Sequence, residues 1–250
     1  MPNAVYKPRG KTPFECVQAY QKRTSTTEVI SYAGRLDPMA EGVLLLLVGE
    51  ENDKRREYEH FSKAYLVDMV FGIGTDTGDL MGIPMVPSSD LPHYPPAEIE
   101  VAAQEYVGTD RQRYHPYSST RVNGKPLFYW AREGRLDEIV IPTHPITIES
   151  IQIIESKSVP IQSLTQVCQS VVPQVHGEFR QQEIVEAWGE VSSPHHVQQV
   201  TFKVHCASGG AFMRVLAEDI AQSLDTQGFC SRIIRTAVGQ WQIGDCMQLW

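Results

Sequence analysis

The sequence predicts an α+β fold, and three observations carry that prediction. Strand-like alternation and helical spacing follow one another along the chain without the regular strand–helix–strand rhythm of a doubly wound sheet. With 250 residues, 42% of them hydrophobic and 21% charged, the chain can bury a substantial core as one large domain or two small ones. No internal repeat or low-complexity segment points to a solenoid or a disordered tract.

The elements follow in order. Cys16, Val17, Ala19 and Tyr20 share one helical face, which predicts a helix over 15–22 started by Thr12-Pro13. Residues 28–32 favour a strand, a tight turn surrounds Gly34, and 42–48 reads as a buried apolar segment. Residues 52–61 are charged and helical, and 63–73 alternates as a strand. The stretch 72–79 is a loop rich in turn residues, and the prolines between Pro84 and Pro96 mark a connector. A helix is expected over 97–106, then turns at His115-Pro116 and Asn123-Gly124-Lys125-Pro126, then a helix over 127–133. Residues 139–154 read as strand, 161–190 as helices in a polar stretch, and 198–206 as strand. Residues 211–224 read as a helix entered through Ala207-Ser208-Gly209-Gly210, and 235–250 as strand to the end.

Several function classes lose support at once. The apolar run Val43 to Val48 is far short of the roughly 18–20 residues that cross a bilayer. The first eight residues hold no apolar stretch that could act as a secretory signal, so a cytoplasmic location is expected. Cys16, Cys168, Cys206, Cys230 and Cys246 are odd in number and form no CxxC pair, which predicts reduced, buried thiols rather than disulfides or a zinc site. His195 and His196 are adjacent and no HExxH occurs, so no metal set is expected. The chain has no P-loop and no GxSxG setting, and Gly72-Ile73-Gly74 lacks the third glycine of a dinucleotide fingerprint. Asp76-Thr77-Gly78 spells an aspartic-protease tripeptide, but that chemistry needs two such acids and the chain holds one.

Charge is segregated. The net charge of −8 argues against a polyanionic partner for the surface as a whole. Residues 66–110 nevertheless carry eight acids and no base, and 136–200 carry eight acids and two bases. Between them lies a basic island, with Arg111, Arg113, Arg121, Lys125, Arg132 and Arg135 set against the single acid Glu133. Such an island can hold a polyanion in one place.

One acid stands out. In Gly34-Arg35-Leu36-Asp37-Pro38-Met39-Ala40-Glu41-Gly42, Asp37 sits in a turn that leads straight into apolar sequence, and Pro38 keeps it out of the α region. A carboxylate at the mouth of an apolar segment can serve as nucleophile or general base, and equally as an ordinary turn residue.

The combination decides. This block, Lys63-Ala64-Tyr65, the loop Thr75-Asp76-Thr77-Gly78-Asp79, the segment from Pro116 to Gly134 and the segment from Cys206 to Ile220 occur in this order. Together they resemble the TruB family of pseudouridine synthases, over nearly the whole chain from Tyr6-Lys7-Pro8 to Gly239. The resemblance implies the pseudouridine synthase fold, a mixed and mostly antiparallel central sheet flanked by helices. It further implies one catalytic domain over 1–250, with an RNA-gripping insertion at about 107–135. It implies Asp37 as the catalytic carboxylate, Tyr65 as the residue that stacks on the base and takes part in proton transfer, and Arg214 as the carboxylate's partner. Asp79 and Ile233 fall at places in the substrate cleft, with Tyr32, Arg35 and Phe212 beside it. Arg111, Arg113, Arg121, Lys125 and Arg132 become candidate RNA contacts.

The implied reaction isomerises uridine to pseudouridine: the C1′–N1 bond breaks, the base turns while held, and C5 takes the place of N1. All atoms are kept, so no cofactor and no metal is called for. The implied partner is RNA, foremost the T-arm of tRNA at position 55, with no membrane and no obligate protein partner. Four features depart from the family's pattern. Tyr32 stands where the family has His, Phe212 where it has Tyr, and His115-Pro116 where it often has Pro-Pro; the chain also ends soon after Gly239, leaving no room for a complete PUA domain. Two rivals share the scaffold: a non-catalytic RNA-binding or tRNA-folding protein, and a synthase for another RNA.

Overall fold

The strand from Ala40 to Val48 is apolar at nearly every position, so neither of its faces can meet water. The computed structural model, which describes residues 1–87, 91–191, 196–208 and 210–250, covers both faces. His195 and Gly209, singled out in the sequence, lie outside the described residues.

The first half of the chain runs β1 (Asn3–Lys7), α1 (Pro13–Thr24), β2 (Ile30–Ala33), β3 (Ala40–Val48), α2 (Arg55–Glu59), β4 (Lys63–Phe71), β5 (Gly74–Thr75), β6 (Pro84–Met85) and α3 (Pro96–Gln104). The basic region forms β7 (Arg111–Arg113), β8 (Arg121–Val122), β9 (Lys125–Pro126) and α4 (Leu127–Arg132). There follow β10 (Thr143–Pro145), β11 (Thr147–Pro160), α5 (Ile161–Val171), α6 (Gln181–Glu190), β12 (His196–Ser208), α7 (Met213–Ser223), β13 (Gly228–Val238) and β14 (Trp241–Gln242).

The central sheet has the order β1-β3-β13-β4-β12-β11, with β2 added to β3 and β14 to β13. Its pairs are antiparallel except β3 with β13. The mixed, mostly antiparallel sheet expected for this sequence is therefore present. Alternate residues of β4 and β13 feed two cores on opposite faces. Tyr65, Val67, Met69 and Phe71 join Ile99 of α3 and Leu216 and Ile220 of α7 on one side. Val70 and Phe229 join Ile161 and Leu164 of α5 and Ile184 and Trp188 of α6 on the other. In β3, Leu44 and Leu46 face Cys16, Val17 and Tyr20 of α1, whereas Val43, Leu45 and Leu47 face Tyr58 of α2.

The expected α1 begins as the sequence implied. Thr12 caps it: its hydroxyl accepts from the Glu15 N–H at 3.2 Å while the Glu15 carboxylate accepts from the Thr12 N–H at 2.8 Å. Two expectations need correction. Residues 52–61 do not make one helix, because the Asn52 side chain donates to the carbonyls of Gly49 and Val29 and holds Gly49–Lys54 in a 3₁₀ turn before α2. The last strand is not 235–250; β13 starts at Gly228, and after Val238 only the two-residue β14 and a single bridge of Met247 to Val5 pair among the described residues. Gly228 is strand here because a Cβ would lie 2.7 Å from that of Ala221, so only glycine lets α7 pack this close.

Among the described residues no helix is long and apolar enough to cross a membrane.

Candidate active site

Asp37 lies in the link between β2 and β3, in a turn closed by the Ala40 N–H donating to the Asp37 carbonyl at 3.0 Å. The turn is pinned from beneath. Gly10 N–H donates to the Pro38 carbonyl at 2.8 Å, and the Lys7 Nζ donates to the carbonyls of Ala40, Pro8 and Pro38 at 2.6, 3.1 and 3.3 Å. Lys7 is fully buried, and burial lowers its ammonium to about 8, so it is still largely charged at pH 7. Gly42 then lets β3 close on β13: a Cβ there would lie 2.2 Å from the Arg235 carbonyl oxygen, and its φ is +112°.

Arg214, in the first turn of α7, reaches the Asp37 carboxylate from the other side, Nε to Oδ2 at 2.9 Å. The Nε–H is not aimed at that oxygen, so the contact is one of charge rather than a formed hydrogen bond. The guanidinium is anchored by Nη1 donating to the Thr77 carbonyl at 2.6 Å, and its Nε is 3.9 Å from Asp79 Oδ2. Asp79 is buried and accepts from the Met81 N–H at 2.8 Å and the Thr77 hydroxyl at 3.1 Å. Burial pushes the Asp79 carboxyl above its usual range against the pull of Arg214. Burial opposes the Arg214 charge, but Asp37 and Asp79 outweigh it, and the guanidinium stays protonated. Arg214 is 6% exposed in its side chain and Asp37 33%, so the carboxylate is the group presented to a ligand.

The pair opens into a cleft of about 660 Å³. Tyr32, Arg35, Asp79, Phe212 and Arg132 also line it. Arg35 donates to the Ser119 hydroxyl and the Arg55 guanidinium lies over the Tyr32 ring at 5.8 Å. Phe212 packs against Tyr114 and His144, with ring centroids 5.5 and 4.9 Å away. Its backbone is clamped by the Gln112 amide, which accepts from the Phe212 N–H at 2.7 Å and donates to its carbonyl at 3.2 Å. That clamp ties the basic region to the start of α7.

Other expected residues are placed elsewhere. Tyr65 and Ile233 are each 5% exposed, and both belong to the core that includes Leu36 rather than to the cleft lining. Burial raises the Tyr65 phenol to about 12, although the Arg235 cation pulls it down. Arg113 is half-exposed and is paired to Glu218 at 2.9 Å and Asp219 at 3.1 Å. Arg111 donates to the Thr143 hydroxyl, Arg121 to the Gly124 carbonyl, and Lys125 sits 3.8 Å above the Tyr129 ring. Arg111 and Arg121 are exposed.

Sequence reasoning missed Arg180. It stands just before α6, donates to Asp76 Oδ2 at 2.7 Å, and stacks over Tyr117, whose hydroxyl donates to the same oxygen at 2.9 Å. All but Asp76 of this trio line the cleft. One signal was available: Arg180 is one of only two bases in the acidic stretch 136–200. Among the described residues no cluster of His, Cys, Asp and Glu could hold a metal ion.

The mixed sheet and the helices on its two faces make a fold that solved proteins share. A structure titled a Cbf5-Nop10-Gar1 complex matches over 99% of this chain and 52% of its own, with a TM-score of 0.60 at 16% identity. One titled an H/ACA RNP bound to a substrate RNA containing 2′-deoxyuridine matches over 99% of this chain and 50% of its own, with a TM-score of 0.57 at 16% identity. At that identity the likeness is one of fold.

The chain belongs to the TruB family of pseudouridylate synthases, whose N-terminal domain model matches residues 22–172. Relatives include tRNA pseudouridine synthase B of Shouchella clausii, 27% identical over 97% of this chain and 68% of its own length. That of Lactococcus lactis is 29% identical over 98% of this chain and 64% of its own. The chain thus spans about two thirds of these relatives and half of the solved chains.

Proposed function

We propose that this protein is an RNA pseudouridine synthase acting on tRNA, with the uridine at position 55 of the T-loop as its target. The observation that carries the reading is the contact of Asp37 with Arg214 at 2.9 Å, with the carboxylate open to the cleft and the arginine buried behind it. Relatives that share the fold's family carry the name tRNA pseudouridine synthase B, which supports the choice of tRNA.

In this reading residues 1–250 form one catalytic domain and the segment near 107–135 grips RNA. The target nucleotide leaves its stack and enters the cleft, at an unstacking cost of a few kcal/mol. Contacts from exposed bases such as Arg111, Arg121 and Lys125 to phosphate offset that cost. Asp37 acts as the carboxylate at C1′, with the Arg214 guanidinium in charge contact behind it. Phe212 and Tyr32 offer ring faces at the cleft wall. Tyr65 stays a neutral phenol in the core beneath the cleft, because burial holds it at about 12; it can stack on the base only if the bound RNA opens a path to it, and it accepts a proton only after losing its own.

The test is incubation with unmodified tRNA transcript and mapping of pseudouridine at nucleotide resolution. Product in the T-loop that disappears with Asp37→Asn, while RNA binding persists, is the expected result. Undiminished turnover by Asp37→Asn removes Asp37 from the chemistry, and product elsewhere in RNA reassigns the target.

A further inference from the structure

Against the Arg214 guanidinium lies a histidine that the reaction as described does not use. His115 is 1% exposed and comes from the segment that follows β7. Its two ring nitrogens have different partners. Nδ1 lies 3.0 Å from the Tyr117 backbone nitrogen and 3.4 Å from Arg214 Nη1, both of which can only donate. Nε2 lies 2.9 Å from Glu218 Oε1. The ring that satisfies all three contacts is neutral with its proton on Nε2, donating to Glu218 and accepting at Nδ1.

The surroundings leave no slack. Gly78 packs against the junction so closely that a Cβ there would lie 3.0 Å from both the Arg214 Cβ and the Glu218 carboxylate, and 3.1 Å from His115 Nε2. The charged groups that face His115 are Arg214 and Glu218 of α7 and Asp37 from the turn before β3; Arg113 acts on it through Glu218, and Asp79 through Arg214. A second proton on this ring would set Nδ1–H against the Tyr117 N–H and against the guanidinium. The backbone bond to Tyr117 and the seat of Arg214 cannot both survive that.

We propose that His115 is a positioning residue for Arg214: its neutral ring seats the guanidinium against Asp37, and protonation unseats it, giving turnover an acid limb that belongs to this histidine. The proposal rests on the synthase reading above. Burial and the Arg214 cation lower the His115 pKa below its ordinary 6.5, against the pull of Glu218, so the ring is neutral at pH 7 and gains its proton only in acid. The neighbour Glu218 is driven upward by burial but is brought below its usual range by His115 and Arg113, so it stays an acceptor throughout that window.

The test is the single-turnover rate of pseudouridine formation against pH, for the wild type and His115→Asn, beside an imidazole NMR titration of the free wild-type protein. The Asn carbonyl can take the Tyr117 N–H but cannot titrate. The wild-type rate should fall about tenfold per pH unit below a midpoint under 6.5, and His115→Asn should lose that limb. In the wild type alone, the His115 ring and the Arg214 side-chain nitrogens should titrate together at the midpoint of the kinetic limb. This second readout holds if the variant fails to fold. An unchanged acid limb in His115→Asn, or a His115 midpoint apart from the limb, overturns the proposal. Absence of product with wild type on any RNA instead overturns the synthase reading; the shared titration of His115 and Arg214 in free protein then still decides their coupling.

Discussion

Arg214 carries two tasks with one side chain. It faces an accessible carboxylate, Asp37, and a buried one, Asp79, and it is the cation within 4 Å of both. Removing it as Arg214→Met leaves Asp79 buried with two hydrogen bonds and without its ion-pair partner, with the more distant Arg9 cation still acting on it. Breaking a buried pair in this way costs about 3–5 kcal/mol, and urea unfolding at pH 7 should show it. The sign of the pH effect follows. Losing the cation raises the Asp79 pKa further, so the folded variant takes up a proton that neutralises the exposed fault, and its deficit shrinks as the pH falls toward 4. A deficit independent of pH would show that Asp79 is not the group left stranded. Arg214→Lys keeps a charge but loses the planar fork that reaches Thr77 and Asp37 together, and the single-turnover rate should fall by about a hundredfold or more.

At the scale of elements, the site depends on the one parallel pair in the sheet. β3 and β13 bring the Asp37 turn beside Arg235, which is buried and donates to the carbonyls of Val43 at 2.8 Å and Gly34 at 3.0 Å. Gly42 is the point of closest approach. Gly42→Ala should force β3 away from β13 and cost more than the roughly 1–3 kcal/mol of backbone strain alone, with most of the protein lost from the soluble fraction. Near-wild-type urea midpoints for this variant would mean the strands can separate freely. This element also shows what the sequence disclosed. The Asp37 block was legible because its meaning is local: glycines, a proline and an apolar run lie within a dozen positions. The helix start at Thr12 was legible for the same reason. The start of β13 was not, since Gly228 looks like a breaker until α7 is packed on it. Nor was the role of 161–190 visible. The apolar positions of α5 and α6 are sparse, and only the folded chain shows that they carry Glu178, Phe179 and Arg180 to the cleft. The contacts of His115 with Glu218 and of Arg113 with Asp219 each span over a hundred residues, a distance across which periodicity says nothing.

At the scale of the whole molecule, burial has been applied to more ionisable groups than the site requires, and it sets how the fold answers alkali. All five cysteines are buried and unpaired with one another. Burial raises Cys16, Cys206 and Cys246 to about 11 and Cys168 to about 12, and lifts Cys230 well above its usual 9.0. Tyr6, Tyr65 and Tyr117 are likewise raised to about 12, burial being the largest cause in each. A group whose folded pKa lies above its unfolded value contributes stability that is intact below the unfolded value and drains away as the pH rises toward the folded one. The thiols therefore begin to weaken the fold near pH 9, and the phenols join near pH 10. Lys7 and Lys63 act in the opposite sense: burial lowers both to about 8, so the folded state sheds their protons first and gains stability between about 8 and 10.5. Five thiols outnumber two ammonium groups, and each fully developed difference of one proton is worth about 1.4 kcal/mol per pH unit. Under reducing conditions, the urea midpoint should hold or rise slightly from pH 7 to 8.5, then fall steeply from pH 9 to 10.5. A midpoint at pH 10.5 equal to that at pH 9 would mean that the thiols ionise without unfolding the chain, and hence that the core around Cys230 between β13 and α7 admits water.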